Sequence, residues 1–228
     1  MALYILIFVV TMAFSLIAAG RVKSKYAKWS KFPARSGLSG AQAAAQILRQ
    51  SGIGDVEIVA GKGHLTDHYD PAHKRLVLSE TNYHGHSVAA LGIAAHECGH
   101  AVQHARAYAP LQWRMAAVGL TRFSSPMLYL PIIGMALGLL APYTGFLIIA
   151  VGMGIMMLFN LVTLPVEFDA TKRAKAILAE SGMISPGEEE KGMSAVLDAA
   201  AWTYVAAFVT SLAWFLYYLL PLILGGRR

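Results

Sequence analysis

The hydrophobic positions fall into four long runs separated by stretches of mixed polarity. Residues 2–20 form an uncharged run of the length that crosses a bilayer. Residues 120–140 and 145–164 form two further runs, which carry no charge beyond Arg122, and a fourth run lies near residues 204–224. This pattern predicts about four transmembrane helices, the middle two forming a hairpin in which several glycines allow close helix approach.

The stretch from residue 21 to residue 115 predicts a small α+β domain. Ser39 and Gln42 form a capping-box pattern, and Pro71 lies in a turn between two alternating segments. We expect the strands to form a small antiparallel sheet that precedes the next helix. The predicted elements are a helix over 40–50 and strands over 56–59, 65–69 and 75–79.

Residues 87–107 favour a helix, since they are rich in Ala, Leu, Ile and Val and contain no proline. Within this segment His96, Glu97 and His100 follow the pattern His-Glu-x-x-His. Positions i and i+4 share a helix face, so both imidazoles can bind one metal ion, while Glu97 can take a proton from a bound water. The short pattern also occurs on metal-free surface helices, but burying these groups without partners would be costly. Gly99 costs about 1 kcal/mol of helix stability relative to Ala, so we expect a close-packed neighbour there.

A catalytic zinc ion usually takes three protein ligands, so a third ligand is expected beyond the helical pair. His104 follows His96 by eight residues, and the longer form of the motif requires ten. Glu167 is the candidate, although a glutamate that opens a helix can simply favour the helix dipole. Asp169 is the alternative ligand, or an acceptor that orients an imidazole.

Composition places the chain at a membrane, because 56% of its 228 residues are hydrophobic and only 14% are charged. The single cysteine, Cys98, excludes an intrachain disulfide and is expected to be a packed side chain. Lysines and arginines account for the net charge of +6, and we expect no nucleic-acid partner. They cluster after the first apolar run and again after the third; they are Arg21, Lys23, Lys25, Lys28, Lys31, Arg35, Lys172, Arg173, Lys175 and Lys191.

These charges indicate that the polar stretches lie in the cytoplasm, with only the final Arg227 and Arg228 departing from the positive-inside rule. The first run could be a cleaved signal peptide, but it lacks a basic start, so we favour an uncleaved anchor. The predicted segments are an anchor (1–20), a zincin-like domain (21–115), a transmembrane hairpin (116–164), helices that complete the zinc site (165–202) and a final transmembrane helix (203–228).

Three separated motifs carry a family resemblance: Gly63-His64-Leu65-Thr66-Asp67-His68-Tyr69-Asp70-Pro71, residues 94–105 and residues 164–170. Together they resemble the YugP-type neutral zinc metallopeptidases of bacterial membranes, which are similar in layout to the HtpX group of membrane proteases. The resemblance covers nearly the whole chain. It implies a zinc-dependent endopeptidase in which His96, His100 and Glu167 bind zinc. Glu97 would be the catalytic base. In the HtpX group an aspartate often follows the ligand glutamate by four residues, and Thr171 stands there in this chain.

Four further polar residues are candidates for orienting a ligand or stabilising the oxyanion of a tetrahedral intermediate. They are Asp169, His104, His68 and Tyr69, of which the last two lie in a family-like motif. Histidine and tyrosine residues in loops are more often surface or capping residues. Trp202, Trp214, Tyr217 and Tyr218 are expected to pack in spans or anchor them at the interface.

The sequence therefore predicts an α-helical membrane protein of about four transmembrane helices with a small α+β zincin-like metallopeptidase domain. We expect zinc-dependent hydrolysis of membrane or membrane-proximal polypeptides, including misfolded ones, at the cytoplasmic side of a bacterial cell membrane. By analogy with zinc peptidases, an edge strand of the sheet would pair with an extended substrate. The alternatives are a non-catalytic adaptor with a closed, four-ligand zinc site, and a zinc hydrolase of a lipid or small amide. No oligomeric state follows from the sequence.

Overall fold

The computed structural model describes residues 2–225, which form seven helices and one three-stranded sheet. The helices are α1 (Ala2–Trp29), α2 (Gly40–Gln50), α3 (Glu80–His84), α4 (Val88–Ala105), α5 (Ala109–Ala136), α6 (Pro142–Glu180) and α7 (Glu188–Gly225). Arg227, Arg228 and the outer ends of the predicted segments 1–20 and 203–228 lie outside the described residues.

The chain divides into two compact units. The apolar unit comprises the described residues up to Ile17, Gln112–Leu164 and the described residues from Thr203 onward. The motif unit comprises Ala18–Leu111 and Pro165–Trp202. The motif unit thus contains residues from both sides of the central apolar segment. All three candidate ligands, His96, His100 and Glu167, belong to it.

The sheet contains β1 (Glu57–Gly61), β2 (His68–Asp70) and β3 (Arg75–Ser79) in the order β1-β3-β2. The prediction of an antiparallel sheet was right for β2 and β3 but wrong for β1, which pairs with β3 in parallel. The chain leaves β1 through a loop, enters β2 on the far side of β3 and returns through a tight turn. Alternating side chains determine which face of a strand is buried, but they do not determine its neighbour or direction.

Helix α4 lies in the core of the motif unit. Ser87 caps its start by accepting a hydrogen bond from the amide of Ala90. Its buried residue Leu91 belongs to the same core cluster as Ile47 of α2 and Leu76 of β3. Burial of this apolar face against α2 and the sheet fixes the direction in which the opposite face of α4 points.

Helix α6 is continuous from Pro142 to Glu180, with Pro165 inside it. Pro165 does not interrupt this helix. A proline removes one backbone hydrogen bond, but the turns on either side can carry a helix through it. Glu167 therefore lies inside a helix, so the interpretation of this residue as a helix-opening glutamate is wrong.

Within the described residues, three helices are long and apolar enough to cross a membrane: α1, α6 and α7. Helix α5 is as long as α1 but is not among them, so the fourth span stays a prediction. Helices α5 and α6 do approach closely, because a Cβ added at Gly152 would lie 2.9 Å from the Cβ of Met127. Helix α7 runs without a break from Glu188 into the apolar unit.

Candidate metal centre

Helices α4 and α6 bring together two imidazoles and a carboxylate that could hold a metal ion. The Nε2 atoms of His96 and His100 lie 3.2 Å and 3.5 Å from Oε2 of Glu167. The potential ligand atoms of these three residues all lie within 4.8 Å of one another. Glu167 is fully buried and His100 is buried, while His96 is partly exposed. Zinc readily takes two histidines and one carboxylate, and a cation would offset the cost of burying the charge of Glu167.

A glycine allows the two ligand-bearing helices to meet. A Cβ added at Gly99 would lie 2.8 Å from the carbonyl oxygen and 3.1 Å from the Cα of Ala170. Because backbone atoms cannot swing away as a side chain can, only glycine fits here without moving α6. The expected close-packed neighbour of Gly99 is thus confirmed, and it is the backbone of α6 three residues beyond Glu167.

The outer nitrogen of each imidazole contacts a neutral side chain. Nδ1 of His100 lies 3.0 Å from Oε1 of Gln103, and Nδ1 of His96 lies 3.3 Å from Oγ1 of Thr171. The sequence analysis gave neither Gln103 nor Thr171 a role at an imidazole. Their spacing was the available signal, since Gln103 follows His100 by three residues and Thr171 follows Glu167 by four.

Asp169 is connected to His100 through the side chain of Gln103. Its Oδ2 accepts hydrogen bonds from Nε2 of Gln103 at 2.8 Å and from Nε of Arg173 at 2.6 Å. Asp169 therefore touches the group that contacts His100. Among the described residues, the cluster that could hold a metal contains neither Asp169 nor His104.

Glu97 lies next to the candidate ligands, and its carboxylate is buried. Among the residues that the structure describes, none donates a hydrogen bond to this carboxylate, so it is free to accept a proton from a water molecule. The negative charge of Glu97 also affects the pKa values of two neighbouring side chains, His100 and Cys98. Burial lowers the pKa of His100, but Glu167 and then Glu97 outweigh this effect and raise the pKa above its ordinary value. Burial and the charge of Glu97 raise the pKa of Cys98, which remains a thiol in the core.

Tyr69 and His104 form a pair beside this cluster, with the hydroxyl of Tyr69 2.8 Å from Nδ1 of His104. Burial and then the charges of Asp55 and Asp70 raise the pKa of Tyr69 to about 12. The hydroxyl therefore stays protonated and can donate a hydrogen bond at neutral pH. His68 is exposed, and its Nδ1 donates to the carbonyl of Thr66.

The chain is similar to known proteins over nearly its whole length. Residues 4–223 match the model of a family described as "Putative neutral zinc metallopeptidase". The chain is 40% identical over 233 residues to a Bacillus subtilis (strain 168) protein described as "Putative membrane protease YugP", covering 99% of this chain and 98% of that protein. No solved structure matches the chain significantly. This relative and the three apolar helices support a membrane protein. The match over nearly its whole length shows that the chain belongs to this family of neutral zinc metallopeptidases.

Proposed function

We propose that the chain is a membrane-embedded, zinc-dependent endopeptidase that hydrolyses peptide bonds of membrane or membrane-proximal proteins, including misfolded ones. One observation carries the proposal: His96, His100 and Glu167 converge within 4.8 Å, and Glu97 lies beside them with no hydrogen-bond donor among the described residues. A metal site with three protein ligands and an adjacent free carboxylate is the arrangement that hydrolysis requires.

In this proposal each residue has a distinct task. His96, His100 and Glu167 hold the ion. Zinc, when bound, supplies a Lewis acid that polarises the scissile carbonyl and lowers the pKa of a water molecule. Glu97 accepts the proton of the attacking water and passes it to the leaving amine.

The motif unit also offers a place for the substrate. Strand β2 is at an edge of the sheet, so its outer backbone groups can pair with an extended peptide. Tyr69 of β2 contacts His104, which lies one helical turn beyond His100 on α4. A peptide along β2 would therefore run past the candidate metal centre, and the Tyr69–His104 pair could donate a hydrogen bond to the oxyanion.

The order of residues along the chain supports an even number of membrane crossings between His100 and Glu167. His96 and His100 precede Gln112–Leu164, Glu167 follows it, and all three residues belong to the motif unit. If α6 crosses the membrane, α5 must cross as well. We infer a multi-pass protein of a bacterial cell membrane with four spans. The clusters of lysine and arginine in the motif unit favour a cytoplasmic site.

The test compares wild type with Glu97→Gln, both purified in detergent and loaded with zinc. The substrate is an unfolded protein such as casein, and bound zinc is quantified in both samples. Because only the proton acceptor is lost, the rate should fall by about 10²- to 10⁴-fold at equal zinc content. Zinc bound by both proteins with no casein cleavage by either would contradict a general protease activity.

Two other functions predict different results. A non-catalytic adaptor would keep its cellular function in Glu97→Gln and would require a fourth ligand, which the described cluster does not provide. A hydrolase of lipids or small amides would cleave such compounds and leave casein intact. The proposed edge strand β2 favours the peptidase.

A further inference from the structure

A buried amide connects the two helices that carry the candidate ligands. Gln103 of α4 is fully buried. Its Nε2 lies 2.7 Å from the carbonyl oxygen of Val166 and 2.8 Å from Oδ2 of Asp169, both on α6. Its Oε1 lies 3.0 Å from Nδ1 of His100. One side chain thus touches a candidate ligand and two residues of α6 close to Glu167, the preceding Val166 and Asp169 two positions further on.

The partners on α6 fix the orientation of this amide. A backbone carbonyl can only accept hydrogen bonds, and the Asp169 carboxylate accepts one from Arg173 as well. The two hydrogens of the Gln103 amide nitrogen must therefore point to Val166 and Asp169. The amide oxygen then faces His100 and can only accept, so Nδ1 of His100 must carry the hydrogen between them.

A hydrogen on Nδ1 determines what the other nitrogen of His100 can do. In a neutral imidazole, one nitrogen carries the hydrogen and the other has a free lone pair. Nε2 of His100, which lies 3.5 Å from Oε2 of Glu167, then presents its lone pair to the centre of the cluster. The contact at His96 imposes no such choice, because the hydroxyl of Thr171 can both donate and accept.

We propose that Gln103 is a positioning residue that sets the tautomer and ring orientation of His100 and ties this residue to the helix carrying Glu167. The proposal rests on the zinc peptidase function proposed above. Partners that orient a ligand histidine typically contribute about 10- to 100-fold to metal affinity, and we expect the loss of Gln103 to fall in that range.

The first experiment measures zinc affinity of the full-length, detergent-purified protein after metal removal, by competition with a chromophoric chelator. Gln103→Met keeps the length of the side chain but removes its polar atoms, so affinity should fall by about 10- to 100-fold. Asn82→Leu is the matched control. Asn82 is also a buried amide, but it bonds Asp67 and Tyr26, and its loss should leave zinc affinity unchanged.

Equal zinc affinity in wild type and Gln103→Met would overturn the positioning role and leave the proposed peptidase standing. Equal losses in Gln103→Met and Asn82→Leu would also overturn it, because the effect would then reflect general destabilisation. Absence of zinc binding in wild type would instead refute the proposed function and the inference that rests on it.

The second experiment observes the hydrogen on Nδ1 of His100 directly, by NMR of zinc-loaded protein with ¹⁵N-labelled histidine. A hydrogen-bonded Nδ1–H should be protected from exchange in wild type. It should disappear in Gln103→Met, which has no acceptor at this position. A protected signal in Gln103→Met, or the absence of a protected signal in wild type, would overturn the proposal. If Gln103→Met does not fold, the wild-type signal still tests it.

Discussion

Glu167 is the only fully buried member of the candidate metal centre, and its carboxylate lies within 3.5 Å of both imidazoles. A buried carboxylate is costly unless a positive charge or several hydrogen bonds compensate for it. A cation held between this carboxylate and the two imidazoles would supply that compensation. The burial of Glu167 therefore supports a role in metal binding more strongly than its position in the sequence does.

Replacing Glu167 with Gln should abolish tight zinc binding, because the neutral amide lacks the charge that the ion requires. We expect zinc affinity to fall by more than the roughly 100-fold that loss of an outer partner can cause. Glu189→Gln is the control, since Glu189 is also buried but accepts hydrogen bonds from the amides of Arg35 and Ser185. This variant should lose stability and keep zinc. Equal zinc content in wild type and Glu167→Gln would contradict ligation by Glu167.

Replacing Tyr69 with Phe removes the hydroxyl that we propose to act on the oxyanion. Loss of one such donor typically lowers kcat by about 10²- to 10³-fold, and zinc content should not change. Because the pKa of Tyr69 is about 12, its hydroxyl stays protonated up to about pH 10. The activity of the wild-type enzyme should therefore show no loss from deprotonation of Tyr69 below about pH 10. Tyr83→Phe, a partly buried tyrosine beside His84, should retain full activity. Unchanged kcat in Tyr69→Phe would exclude the role.

At the scale of elements, the contact between α4 and α6 determines whether the ligands can meet. This contact depends on a small residue at one position of α4, where the backbone of α6 fills the space that a side chain would occupy. Interiors are close-packed, so even one additional methyl group must displace something. Here the group displaced is the helix that carries Glu167.

Gly99→Ala should therefore weaken zinc binding as well as the fold. Overpacking of this kind costs about 1–3 kcal/mol, which exceeds the roughly 1 kcal/mol that alanine adds to helix stability. Gly92→Ala on the same helix is the matched control. Its new Cβ would meet the flexible side chain of Met193 at 3.3 Å, so this variant should be neutral or slightly stabilising. Thermal unfolding and zinc content of both variants test the comparison; tight zinc binding by Gly99→Ala would contradict it.

At the scale of the whole molecule, the convergence of the candidate ligands bears on whether α5 crosses the membrane. Three helices meet the criteria of length and apolarity, and α5 does not. However, the chain must return to the motif unit after Leu164, and a single crossing would leave Glu167 on the wrong side of the bilayer. The membership of all three candidate ligands in one unit therefore supports the proposed fourth span.

Cysteine labelling in intact cells tests this topology in a Cys98→Ala background. A cysteine at Tyr143, which is exposed near the start of α6, should react with a membrane-impermeant maleimide from outside the cell. A cysteine at Lys62, in an exposed loop of the motif unit, should react only after lysis. Protection of both positions in intact cells would show that α5 does not cross, and labelling at Lys62 would place the motif unit outside.

Features encoded over a few residues could be predicted from the sequence. The capping box of Ser39 and Gln42 appears as expected, and the motif helix runs over Val88–Ala105. His96 and His100 lie together because i and i+4 share one helix face. The apolar runs of α1, α6 and α7 follow from length and composition. All of these depend on local spacing, which the linear sequence contains directly.

Only the tertiary structure decided how distant segments meet. In the folded chain Glu167 lies against the two imidazoles, and the side chain of Gln103 on α4 bonds the backbone of α6. Strand β1 pairs with β3 in parallel. These contacts join residues that are far apart in the chain, and they depend on how helices and strands pack. The sequence by itself determined a membrane chain with a two-histidine helix, and it named Glu167 as the candidate third ligand. The contact of Glu167 with the imidazoles, and the position of the Gln103 amide at His100, depend on the packing of α4 against α6.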